Sequence, residues 1–306
     1  MNLYEKRDFG QKINATFEFI RENFKPLLLS LSYIVLPFTL ITAVVQVFLL
    51  QELLQGKTIT GLAVFTPTYF VSLVLSIINT MMVYLTVNGY LLEYEEGARD
   101  ITPAQVWQRV GREILPALWL TLLATLFTVF GFFLFLLPGI YLMGILPFMY
   151  MVFTREQRGA LDTVLRCQQL TQSPWWSPVV GSFLLVWLLF FEEVRKRVRN
   201  WWSTVALMVV MLFIQVLLAL VFQIPTGIMT VLSGMGLGSA TSPVLLSIFS
   251  VLSNVGGTIL SALFPIAAAF QYYNFLAQVE GTDLLSAIET LGDSKAKPRT
   301  EDEGDY

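Results

Sequence analysis

Side chains able to do acid–base or metal chemistry are few in this 306-residue chain, and five of its 22 acidic residues cluster. Glu93, Glu95, Glu96, Asp100 and Glu113 crowd one short stretch, where paired carboxylates would hold a divalent cation or exchange protons. Their spacing matches no metal loop. Arg99, Arg109 and Arg112 are interleaved with them, so the expected role is a solvated face that also answers the basic stretch at 195–199. The chain has no histidine, which removes Ser-His-Asp and Cys-His triads and every His-containing metal site. Its one cysteine, Cys167, forms neither an intramolecular disulfide nor a thiolate cluster, and on an amphipathic helix it is expected to pack rather than react. No catalytic residue, metal or cofactor follows from these residues.

The most specific electrostatic feature is the Glu-Glu-Val-Arg-Lys-Arg-Val-Arg run at 192–199. Arg195, Lys196, Arg197 and Arg199, followed by Trp201 and Trp202, fit anionic lipid headgroups, each basic residue contributing about 1 kcal/mol near the surface. Ordinary positive-inside anchoring explains the same charges. With 19 basic and 22 acidic residues the net charge is -3, so there is no bulk basic field for nucleic acid.

These groups sit on a strongly apolar frame: 55% of the chain is hydrophobic and 13% charged, against about 25% charged in soluble domains. Apolar windows predict an all-α, polytopic transmembrane bundle of about six spans, at 26–50, 69–92, 115–137, 139–153, 203–222 and 256–274. Pro138 and Gly139 suit a tight hairpin turn between the third and fourth. The spans contain no Asp, Glu, Lys or Arg, which argues against a proton-coupled pump or ion channel. Their polar residues include Gln46, Asn79, Thr80, Asn88, Gln215 and Gln271. Interhelical hydrogen bonds, worth about 0.6–2 kcal/mol each, account for such residues. Lining of a path, with Asn79, Asn88, Gln215 and Gln271 as candidates, is the other reading.

Eighteen of the nineteen basic residues fall in connections on one side, and Lys57 alone lies opposite. The positive-inside rule then puts both termini in the cytoplasm, and the composition fits a bacterial inner membrane. The apolar stretch at 175–191 is too short and too closely flanked by basic residues to span, so an interfacial or re-entrant helix is expected there. The connection at 223–253 is uncharged and Gly-rich, with Val244–Leu252 as a short dipping helix. Residues 1–292 form one membrane domain, and 293–306 a disordered charged tail.

Before the first span, Phe9, Ile13, Phe17, Ile20 and Phe24 share one face opposite Lys12, Glu18, Arg21 and Glu22, as on a helix lying on the membrane surface. A second surface helix starts at Thr102-Pro103-Ala104-Gln105, a capping box with Pro at its first position, and turns Val106, Trp107 and Val110 to lipid. A third lies around 160–170 and a fourth after Thr282. Three of them lead toward spans through joints at Asn23–Pro26, Arg112–Leu115 and Asn200–Ser203, a pattern that suggests a threefold repeat of surface helix plus hairpin.

Three segments carry a family resemblance: Asp8-Phe9-Gly10 with Ile13-Asn14-Ala15-Thr16-Phe17, Ile20-Arg21 and Asn23-Phe24; Leu137-Pro138-Gly139-Ile140-Tyr141-Leu142; and Ala160-Leu161 with Leu165-Arg166-Cys167 and Leu170-Thr171. They resemble uncharacterised bacterial six-span inner-membrane proteins, which are similar to the membrane domain of some glycerophosphoryl diester phosphodiesterases. The resemblance implies fold and location; phosphodiesterase activity belongs to an attached domain with no counterpart in these residues. The expected function is a non-catalytic membrane scaffold or accessory subunit that organises lipid or a partner membrane protein at its cytoplasmic face. The alternative is a transporter or lipid-translocating protein. A transporter should have a continuous polar seam or an internal cavity, and a scaffold a packed bundle with an exposed apolar or basic patch.

Overall fold

The structure, a computed structural model, describes residues 3, 6–54, 66–98, 100–134, 136–172, 192–235 and 242–294, and of these only the helix backbone at 53, 54, 134, 136, 137, 192–198, 233, 234 and 279–294. The expected helix at 175–191 and the tail from 295 onward lie outside the described residues. The elements are α1 (Phe9–Ile34), α2 (Leu36–Leu54), α3 (Pro67–Glu95), α4 (Pro103–Leu134), α5 (Leu136–Ile145), α6 (Met149–Glu156), α7 (Ala160–Thr171), α8 (Glu192–Gly234), α9 (Pro243–Ser261) and α10 (Leu263–Ser294). The chain is thus an all-helical bundle of the polytopic membrane type, with no strand among the described residues.

Four helical segments among the described residues are long and apolar enough to cross a membrane: Pro67–Glu95, Pro103–Phe133, Arg199–Leu232 and Pro243–Gln278. The pair α1 and α2, bent by 58° at its break, makes a fifth. Pro37 in the first turn of α2 has no N–H for the Tyr33 carbonyl, and its ring crowds that carbonyl, which accounts for the bend. The difference from six lies at 139–153. There the chain breaks at Leu146-Pro147-Phe148 into α5 and α6, and neither piece reaches the length of a span.

The expected joints are corrected. Asn23–Pro26 lies inside α1, Arg112–Leu115 inside α4 and Asn200–Ser203 inside α8. The first two surface helices run unbroken into their apolar segments, whereas the third, α7, ends at Thr171. Pro26, Pro116 and Pro225 are accommodated within helices, as neighbouring helices allow in membrane proteins. The hairpin turn likewise moves. Pro138 falls in the first turn of α5, where a missing N–H costs nothing, and a Cβ at Gly131 would stand 2.9 Å from the Gly139 nitrogen. The 223–253 connection is mostly helix, divided between α8 and α9.

The centre of the bundle is the second half of α3, where residues 81–92 are buried almost without exception, packed against α1, α2, α4, α6 and α10. Residues 265–276 of α10 complete this core, with Ala267, Ala268 and Ala269 allowing close helix approach. The opposite face of α4 and most of α8 expose large apolar side chains such as Leu115, Phe133, Phe213 and Val221, a surface suited to lipid tails. Val106 and Val110, expected at lipid, are buried against Gly89 of α3, and only Trp107 of that trio is exposed. The Thr102–Gln105 capping box forms as expected, Gln105 N–H donating to Thr102 Oγ1 and Thr102 N–H to Gln105 Oε1.

Charge is gathered at one end of the bundle. Arg155 of α6 pairs with Glu95 of α3 at 3.1 Å and donates to the Tyr272 hydroxyl of α10 at 3.0 Å. Glu156 accepts from Arg158, Arg166 and Tyr272, and Arg109 bridges Glu93 and Glu96. At the other end Glu52 is the one formal charge among the described residues, accepting from Thr66 and Thr68.

Candidate functional site

Two of the cavities are lined by polar side chains in arrangements that could hold a ligand, one at the charged end and one in the opposite half of the bundle. The first is built on the start of α1. Asp8 caps that helix, accepting from Gln11 N–H at 2.7 Å while its own N–H donates to Gln11 Oε1 at 2.8 Å. The cap places Lys12 one turn in, on the stripe of Ala15, Thr16, Phe19, Asn23 and Leu27 that faces the core. Lys12 is only 4% exposed, which corrects its expected place on the polar face. Phe9, Phe17 and Phe24 remain exposed, and Glu18, Arg21 and Glu22 point to water. The helix therefore has three sides, to core, lipid and water.

The Lys12 ammonium donates to Gln271 Oε1 at 2.8 Å and Ser203 Oγ at 3.2 Å, and Gln271 donates onward to Thr204 Oγ1 at 2.9 Å. Among the described residues no carboxylate lies within ion-pair distance of Lys12. Burial lowers its pKa to about 8, against the pull of Asp8. It borders a cavity of about 810 Å³ also lined by Lys6, Arg7, Arg199 and Trp202. Among the described residues, four cations face that space and one carboxylate, Asp8, which is engaged as a helix cap. Arg7 is held from behind: its N–H donates to Asn274 Oδ1 at 2.9 Å and its guanidinium lies 5.4 Å from the Phe270 ring centre. Such a cavity can hold a phosphate or another compact anion.

The second cavity, about 780 Å³, lies among α2, α3, α8 and α9 and carries no formal charge among the described residues. Asn79 and Gln215 line it together with Gln46, Gln223 and Asn254. Asn79 accepts from Thr39 Oγ1 at 2.9 Å and donates to Thr258 Oγ1 at 3.2 Å. Gln215 Oε1 is buried without a hydrogen-bond partner.

The four expected path-lining residues are therefore not brought to one seam. Asn79 and Gln215 share the second cavity; Gln271 sits behind Lys12; Asn88 is buried in α3, its amide atoms without a protein partner. The basic set also divides. Arg199 and Trp202 line the first cavity, whereas the side chains of Arg195, Lys196 and Arg197 lie outside the described residues. Trp201, expected at lipid, is 1% exposed and donates its indole N–H to the Tyr141 carbonyl at 2.9 Å. Adjacent helical residues point about 100° apart, and here Trp201 turns to α5 while Trp202 remains partly exposed.

The acidic cluster is a solvated face only in part, at Glu96 and Asp100, which are exposed. Glu93, Glu95 and Glu96 are tied to Arg109 and Arg155, and Glu113 is mostly buried, accepting from Gln157 at 2.8 Å. Burial raises the Glu113 pKa, with Gln157 and Arg109 opposing. Burial would also raise Glu156, but hydrogen bonds from Arg158 and Arg166 outweigh it and bring that carboxyl below its usual range. Cys167 is fully buried, which pushes its thiol pKa up. A thiol-alkylating reagent at pH 8 is expected to leave the folded protein unlabelled and to label it stoichiometrically once denatured, read by intact mass.

No family model, curated protein or solved structure matches the chain. Architecture alone supplies the class, a helical multi-span membrane protein.

Proposed function

We propose that the protein is a non-catalytic scaffold of the bacterial inner membrane, both termini in the cytoplasm, that holds anionic lipid at its charged end and organises that lipid or a partner membrane protein there. The observation that carries this is Lys12: a buried ammonium whose hydrogen-bond partners among the described residues are neutral, opening onto a cavity shared with Lys6, Arg7, Arg199 and Trp202. A phosphate would supply a direct counter-charge. One-sided placement of eighteen of nineteen basic residues supports the orientation. The ion pairing of Glu93, Glu95, Glu96 and Glu156 at the charged end supports a structural rather than acid–base role for these four.

The test is retention of phosphatidylglycerol against phosphatidylcholine by protein in mixed micelles, measured by native mass spectrometry. Each cation removed is worth about fivefold at low salt, so Lys12→Gln with Arg199→Gln should weaken anionic lipid about 25-fold and leave phosphatidylcholine unchanged; equal retention by variant and wild type would sink the reading. The pH dependence has a definite sign. Below pH 8 Lys12 is charged before lipid arrives; above it, binding must first take up a proton. Affinity should fall as pH rises from 7 to 9 in the wild type and stay flat in Lys12→Gln.

Translocation of a lipid or solute is the second reading, favoured by the polar cavity in the opposite half. Along α8 its floor at Gln215 lies about 18 Å from Ser203, and the interval is filled by buried Leu207, Met208 and Met211.

A further inference from the structure

The geometry points to a second binding site, independent of the anionic one: the uncharged cavity among α2, α3, α8 and α9 binds a neutral, hydroxyl-rich group of the glycosyl or polyol class. Its volume of about 780 Å³ falls within the range of small-molecule sites, about 300–1,000 Å³. Along α8 it extends from Val231 to Gln215, about 24 Å by helical rise, and so reaches well into the apolar length of the bundle.

The lining chemistry selects the ligand. Gln46, Asn79, Gln215, Gln223 and Asn254 each present both donors and acceptors, and serine and threonine hydroxyls add more. A sugar hydroxyl likewise gives one hydrogen bond and accepts others, so the two sets match. A charged ligand finds no counter-charge among the described residues of the lining; the described carboxylate nearest in sequence, Glu52, is engaged by Thr66 and Thr68. Leaving water for this space would cost an ion heavily. An apolar ligand would leave the amides unsatisfied.

Some lining groups hold the wall and others remain for a ligand. Asn79 is fixed by Thr39 and Thr258, Gln46 donates to Ser76, and Thr226 bonds Ser253 across α8 and α9. Gln215 Oε1, buried and unpartnered, is an acceptor with no occupant from the chain. The glycines divide the same way. A Cβ on Gly256 would strike the Phe222 ring at 2.5 Å, so that glycine brings α8 and α9 together. Gly227 and Gly257, both in the lining, have nothing within 4 Å of an added Cβ. They leave open space that a side chain would fill without meeting the fold.

That space allows a clean test. Purified protein in phosphatidylcholine nanodiscs is titrated with monoglucosyldiacylglycerol and, separately, with methyl β-glucoside, following thermal unfolding and native mass. Wild type should bind at least one probe. Gln215→Leu should weaken it about tenfold, as for one lost hydrogen bond with its desolvated partner, and Gly257→Leu should abolish it, with Gly257→Ala as the folding control. Binding of the lipid alone assigns a glycolipid headgroup; binding of the methyl glucoside as well assigns the free sugar. Binding of neither by wild type, or equal binding by Gln215→Leu and Gly257→Leu, overturns the site. Phosphatidylglycerol retention should be unchanged in all three variants, which separates failure here from failure of the anionic pocket.

Discussion

Replacing Trp201 with alanine is expected to destabilise the protein by about 3–5 kcal/mol, the range for a large aromatic lost from a packed core. The indole is 1% exposed, its N–H donates to the Tyr141 carbonyl at 2.9 Å, and it lies against Gly144 so closely that a Cβ there would stand 2.1 Å from the indole nitrogen. Gly144 belongs to α5 and Trp201 to α8, so this contact fastens a short helix to a long one. Gly144→Ala should therefore cost several kcal/mol, because the whole ring must move. The two changes should not add: with the indole absent, the alanine methyl has room, and the double variant should be about as stable as Trp201→Ala alone. Trp202→Ala, removing a half-exposed ring beside the basic cavity, should leave stability within about 1 kcal/mol. Unfolding in mixed micelles measures all four, and a Trp201→Ala loss below about 1 kcal/mol would refute the packing role.

Arg155→Met is the second large effect, expected at about 3–5 kcal/mol because it strands the charges it was neutralising. Arg155 binds Glu95 and the Tyr272 hydroxyl, lies beneath the rings of Tyr272 and Tyr273, and is reinforced by Tyr273 donating to Glu95. Both charged side chains are largely shielded, at 24% and 18% exposure. Arg155→Lys should recover only part of the loss, since an ammonium lacks the planar fork that reaches both partners. The neighbouring Glu156 gives the acid limb its sign. Its folded pKa is depressed, so its contribution is present above the unfolded carboxylate range and is lost as pH falls through the folded value. Unfolding of the wild type and of Glu156→Gln from pH 7 to pH 3 should converge toward the acid end.

Much of the frame was legible from hydropathy and charge: the helical class, the apolar segments, the capping box at Thr102 and the one-sided placement of basic residues. The side each helix turns to its neighbours was not. In a bilayer both core and lipid contacts are apolar, so Val106 and Val110 read the same whether they meet Gly89 or an acyl chain. Lys12 shows the converse. A single apolar face predicted from Phe9, Ile13 and Phe17 leaves a lysine only the water side, whereas a helix with three environments can bury it beside Gln271. The spans' own charge inventory missed it because Lys12 precedes the apolar run yet packs against it. Gln215 and Asn79 were visible as polar residues at depth. That they share a cavity depends on the rotation of α3, α8 and α9, which no local pattern records. Arg155, Tyr272 and Tyr273 lie at the ends of apolar runs more than a hundred residues apart in sequence, and nothing before folding links them.

The collection of charge at one end bears on how the chain enters a bilayer. In sequence, the connections at 131–139 and 223–243 carry no charged residue, and the stretch at 51–68 has one glutamate and one lysine. A tip pushed through hydrocarbon must shed water from each charge it carries, at about 2.5–3.5 kcal/mol apiece at the centre. Uncharged tips avoid that cost, so hairpins can insert as closed pairs in any order as they leave the ribosome. The basic residues stay behind as a brake that stops each pair at the same depth.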